Sequence, residues 1–135
     1  MLKKMLKNER GLTLIELLAV VVILGIIAAI AVPAIGNVIQ NSKDDAKVSD
    51  ALQVINAAKL ARASEQGTTF KHKAPATGAE ANVVYIQQYL DSADETGYTV
   101  TYENNQYSIT SHSGVGAAGV TDGTATEKEL KDSLN

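Results

Sequence analysis

The chain has no cysteine among its 135 residues, which excludes disulfides and thiolate metal sites. Any folded part must therefore be held by packing or by assembly. Histidine occurs twice, as His72 and His112, and neither stands beside a paired carboxylate in a recognisable catalytic spacing. Both read as ordinary exposed side chains. At this length there is room for one anchor and one small globular domain, and none for a catalytic domain of ordinary size. No enzyme, cofactor or resident metal is expected. Basic charge is also scarce outside a short leader, residues 1–11, which holds Lys3, Lys4, Lys7 and Arg10 against Glu9. The whole chain carries 12 basic and 15 acidic residues, so residues 12–135 keep 8 and 14, a net charge of −6. Such a balance disfavours general binding of nucleic acid or anionic lipid over the whole surface.

What the sequence does contain is a basic leader running into Gly11-Leu12-Thr13-Leu14-Ile15-Glu16 and then an uninterrupted apolar run, residues 17–35. An ionised carboxylate inside a transmembrane helix costs at least ~2.5–3.5 kcal/mol, so Glu16 needs a partner or a function. Three readings compete. A secretory signal peptide, with Val32-Pro33-Ala34 as its cleavage site, calls for an apolar stretch of only about 7–15 residues, and Glu16 sits where such peptides are apolar. A plain signal anchor accepts the length, since ~20 residues of helix span the hydrocarbon. The leader lysines then keep the N-terminus in the cytoplasm, but Glu16 stays unexplained. Cleavage after Gly11 is the third reading: it turns Leu12 into a free α-amine, a cation able to pair with Glu16 of a neighbouring copy. That arrangement describes a filament subunit.

These residues, with the basic leader before them and the Gly25 and Pro33 interruptions after them, resemble the class III signal sequence of type IV pilins and pseudopilins over residues 1–35. The resemblance implies cleavage at Gly11 by a prepilin peptidase and N-methylation of Leu12. It also implies homopolymerisation through Leu12, Thr13 and Glu16, driven by a pilus assembly platform and its ATPase. The precursor would be a single-pass protein of the cytoplasmic membrane with its N-terminus inside, and the product a cell-surface filament. Gly25 and Pro33 would make the helix extensible. Many members have Phe where this chain has Leu12, and many Gram-negative major pilins have a disulfide-bounded loop that is impossible here, which points to a Gram-positive-type pilin. The expected function is a structural subunit, most directly the major pilin. A competence pseudopilus subunit for DNA uptake and a type II secretion pseudopilin are the alternatives.

Past Pro33 the sequence turns polar but keeps a helical period. Val48, Ala51, Leu52, Ile55 and Ala58 share one helix face. Neither proline nor glycine interrupts residues 37–66, so one helix is expected from about Leu12 to Gln66, with a bend near Pro33 and a stop at Gly67. Such a helix is roughly 80 Å long. The expected fold is α+β and type IV pilin-like: a leader (1–11), a transmembrane and assembly helix (12–36), its amphipathic continuation (37–66) and a head (67–135) built on a small antiparallel sheet. Within the head, Thr68 to Ala81 reads as loop, Val83 to Leu90 as a short helix, with strand the competing reading because Val83 to Ile86 is β-rich, and 98–111 as a hairpin turning at Asn104-Asn105. Pairing Glu103 with Gln106 sets Tyr102 against Tyr107 and Val100 against Ile109, gathering the large apolar groups on one side. Ser113 to Thr126 reads as a flexible loop or weak strand. Thr126-Glu127-Lys128-Glu129 has the spacing of a capping box, with Leu130 and Leu134 docking the helix that follows.

The remaining chemistry is sparse. Lys71-His72-Lys73 is the one compact basic run beyond the leader, and repeated along a filament it could bind DNA. Asp44, Asp45 and Asp50 point in different directions from a helix and lack calcium-loop spacing. Asp122-Gly123 resembles part of a secretion-pseudopilin calcium site, without the acidic loop that supports one. Tyr85 and Tyr89 read as helix packing, and Tyr102 with Tyr107 as a cross-strand pair.

Overall fold

A computed structural model describes the backbone of residues 2–91 and 95–135, with side chains from Gly11 onward. The leader side chains therefore lie outside the described residues. Helix α1 spans Leu2–Ser64 and continues through Pro33. After it come β1 (Thr69–Lys71), β2 (Val83–Tyr85), a 3-10 turn (Gln87–Tyr89), β3 (Thr99–Glu103), β4 (Gln106–Thr110), α2 (Ser113–Ala117), β5 (Thr124–Thr126) and α3 (Glu127–Ser133). The fold is α+β and type IV pilin-like. The chain divides into two compact units, Met1–Gln40 and Asn41–Asn135.

In the second unit α1 supplies Val48, Ala51, Val54, Ile55, Ala57, Ala58 and Ala61 to the core. The expected stripe is present but wider, with Leu52 at its half-buried margin. Small residues at 51, 57, 58 and 61 let sheet side chains approach the helix closely. The sheet runs β2-β1-β3-β4-β5. Register places Val84, Phe70, Val100, Ile109 and Ala125 side by side, one residue from each strand. All five are buried. Flanking positions carry hydroxyls instead, with Thr101 and Ser108 hydrogen-bonded at 2.8 Å and Thr110 and Thr124 at 3.2 Å. Period-two alternation thus gives the sheet an apolar face and a polar one.

The 98–111 hairpin pairs Val100 with Ile109, Tyr102 with Tyr107 and Glu103 with Gln106, as its pattern requires. Asn104 and Asn105 both take positive φ, 51° and 64°, which suits a two-residue hairpin turn. The capping box also forms: Thr126 Oγ1 accepts the Glu129 N–H, and Glu129 Oε2 accepts the Thr126 N–H at 2.8 Å. Helix α1 ends three residues before Gly67, where a Cβ would meet Val84 Cγ2 at 2.5 Å. Close packing against β2 accounts for that glycine.

Several expectations are corrected. The segment read as loop from Thr68 to Ala81 contains β1, whose single large apolar residue, Phe70, is fixed by pairing with both Val84 and Val100. Val83–Leu90 is a strand followed by a 3-10 turn, because Val84 and Ile86 are claimed by the core. Tyr85 and Tyr89 are consequently not helix neighbours. The pairing of β1 with β2 is parallel, so the sheet is mixed. Ser113–Thr126 is neither flexible loop nor a strand through Val120, since α2 and β5 occupy it. Leu130 is buried, whereas Leu134 is 40% exposed and does not dock.

Candidate assembly and processing site

Helix α1 carries Gly11, Leu12, Thr13 and Glu16. Residues 12 and 16 are four apart and share a face. The Gly11–Leu12 bond is intact in this chain, so the Leu12 nitrogen is an amide and carries no charge. Among the described residues, no ion pair reaches Glu16. The carboxylate sits at one end of a stretch, residues 17–35, whose large apolar side chains all point outward; Ile23, for example, is 56% exposed. Gly11–Ser64 is the one helix among the described residues long and apolar enough to cross a membrane. A helix apolar on every side satisfies no amphipathic pattern.

At Gly11 and Gly25 an added Cβ would meet nothing within 4 Å. Packing inside the chain therefore does not explain either glycine. Pro33 removes one N–H from the helical ladder, leaving the Ala29 carbonyl without its usual donor.

Lys71, His72 and Lys73 do not form the expected basic patch. Lys71 lies in β1 and pairs with Glu80 at 2.7 Å. His72 is only 9% exposed, and its Nδ1 is hydrogen-bonded to the Tyr98 hydroxyl at 3.0 Å. Lys73, by contrast, is exposed. Strand alternation dictates this outcome: placing Phe70 in the core turns the flanking lysine outward, and the chain leaving β1 carries His72 inward. His112, likewise expected to be exposed, is 7% exposed.

A second cluster joins α1 to the C-terminal part. Lys59 Nζ lies 2.6 Å from Glu127 Oε1, which Lys131 also reaches. Partial burial works to raise the Glu127 pKa, yet the bonds from Lys131 and Lys59 hold the carboxyl below its ordinary range. The Arg62 guanidinium stacks 3.7 Å from the Tyr102 ring, whose centroid is 4.6 Å from that of Tyr107. These contacts are structural. An open recess of about 640 Å³ lined by Arg62, Gln66, Gly67, Thr68 and Asn82 offers no nucleophile and base pair. No group of three metal-ligating side chains occurs among the described residues, and Asp122 lies exposed without acidic neighbours that would complete such a group.

The prokaryotic N-terminal methylation motif matches residues 6–32. Fimbrial protein Q of Moraxella bovis is 28% identical over 118 residues, covering 87% of this chain. The chain spans 66% of the length of that curated relative. No solved structure matches. Together, the motif, the relative and the fold support a type IV pilin-like fimbrial subunit.

Proposed function

We propose that this chain is the structural subunit, specifically the major pilin, of a type IV pilus-like surface filament, and not a catalyst. The carrying observation is the coincidence of two features in one helix. The methylation motif covers residues 6–32, and in that stretch every large apolar side chain from Leu12 onward is exposed. In this reading the precursor waits in the cytoplasmic membrane with its N-terminus inside. A prepilin peptidase cuts after Gly11, whose lack of a side chain suits a cut site better than any packing need inside the chain. Leu12 is then N-methylated, and residues 12–36 enter the filament core, served by an assembly platform and its ATPase.

The new Leu12 amine and Glu16 of adjacent subunits would pair where each is costly alone. Thr13 lies between them. Gly25 and Pro33 weaken the helix where its hydrogen-bond ladder lacks a donor, which supports an extensible segment. A head fastened by Lys59 and Glu127 rather than by a disulfide suits a Gram-positive-type pilin. The DNA-uptake alternative rested on the basic run that the fold breaks up.

The test is mass spectrometry of shear-released surface material together with electron microscopy. The expected subunit begins at N-methylated Leu12 and comes from thin filaments. Gly11→Val should retain the leader and accumulate unassembled in the membrane. Normal maturation of that variant, or a filament subunit that keeps the leader, would contradict the processing step.

A further inference from the structure

The buried imidazole of His112 is used by nothing in the proposed assembly. It is the N-cap of α2, and its Nδ1 accepts the Gly114 N–H at 3.0 Å. An accepting Nδ1 carries no hydrogen, so the neutral ring holds its proton on Nε2. Gly114 in turn rests directly on α1: a Cβ there would overlap the Lys47 carbonyl oxygen and crowd Ala51 Cβ at 2.7 Å. Cap, glycine and helix contact therefore form one mechanical unit.

Charged and titratable groups face this unit from several elements. Glu95, ahead of β3, places Oε2 3.8 Å from His112 Nδ1 while accepting the Ser113 N–H at 2.8 Å. Asp50 and Lys47 approach from α1. The Tyr98 ring lies 5.7 Å from the His112 ring and 5.9 Å from that of His72. Adding a proton to Nδ1 turns an acceptor into a donor. The Gly114 N–H then confronts another N–H, and Glu95 must divide its oxygen between Ser113 and the imidazolium.

We propose that His112 is an acid-sensitive latch, whose protonation at Nδ1 withdraws the cap from α2 and loosens the seat of Gly114 on the Lys47–Ala51 turn of α1. Burial lowers the His112 pKa, outweighing the favourable charges of Glu95 and Asp50. The folded state therefore takes up this proton less readily than the unfolded chain, where histidine titrates near about 6.5. Cap stability is full above that value and is lost as pH falls through the lowered folded value. Burial pushes Tyr98 up to about 12. Partial burial would raise the Glu95 pKa, but the bonds from Ser113 and the nearby His112 and Lys47 hold it below its ordinary range.

The test follows the full chain in detergent micelles from about pH 7.5 to about pH 4, the span in which a histidine switch acts. It records the His112 ring nitrogens by NMR and Gly114 amide exchange, corrected for the intrinsic effect of pH. As Nδ1 gains its proton, Gly114 protection should fall about tenfold, the equivalent of losing a helix cap. His112→Asn retains an oxygen acceptor at the N-cap without a titration and should keep that protection level. A ring that titrates with Gly114 protection unchanged overturns the latch, as does a ring that stays neutral to the acid limit. An equal loss of protection in His112→Asn also overturns it. Should the variant not fold, coincidence of the two wild-type midpoints supports the latch, and their separation rejects it.

Discussion

Helix α1 solves the same problem in two ways along its length. Around Ile23 the apolar side chains face outward on every side, whereas from Val48 to Ala61 a stripe of small and branched residues meets a row of five sheet residues and vanishes from solvent. Both stretches are apolar and both are helical. The second is covered by the sheet of its own unit; in the proposed assembly the first is covered by lipid or by like helices. Ala28, Ala29, Ala31 and Ala34 leave room for such helices to approach closely.

Substitutions can break this contrast, in descending order of effect. Phe70 has no exposed surface and sits in the row between Val84 and Val100. Phe70→Ala should cost roughly 3–5 kcal/mol, as large-to-small core changes do, read from denaturant unfolding of the full chain in micelles through the tyrosine near-UV signal of the head. Thr126→Ala removes the acceptor for the Glu129 N–H and should cost about 0.5–2 kcal/mol in the same measurement. Ile23→Ala should leave that unfolding curve unchanged, because Ile23 contributes nothing to the folded head. An unfolding midpoint that shifted as far for Ile23→Ala as for Phe70→Ala would erase the distinction between the two stretches.

Much of this arrangement was legible in the sequence, for identifiable reasons. The hairpin could be read because a one-residue slip would scatter Val100, Tyr102, Tyr107 and Ile109 over both faces. Thr126 to Glu129 could be read because the capping box is local. Strand β1 could not: three residues with one apolar centre carry no period, and Phe70 becomes a strand residue only through partners at positions 84 and 100. Val83, Ile86 and Leu90 have a spacing that suits a helix equally well, and tertiary demand for Val84 and Ile86 decided otherwise. Two glycines hid α2, one of them required by contact with α1. The buried histidines escaped notice because their partners, Tyr98 and Glu95, lie far from at least one of them in sequence. At the N-terminal site the sequence already displayed the basic leader, Gly11 and Glu16. The fold adds that neither Gly11 nor Gly25 is needed for packing, and that the run after Glu16 lacks cover.

The central claim is that residues 12–36 find their burial in neighbouring subunits, with Glu16 meeting the Leu12 amine of another copy. Comparing surface filaments with the membrane pool of mature Glu16→Gln subunit tests it most directly. Removing the carboxylate charge should leave membrane insertion and cleavage at least as efficient as in the wild type. Filaments should nevertheless be nearly absent, because an amine deprived of its partner in a dry core costs about 3–5 kcal/mol. Abundant normal filaments built from correctly cleaved Glu16→Gln subunits would contradict the account.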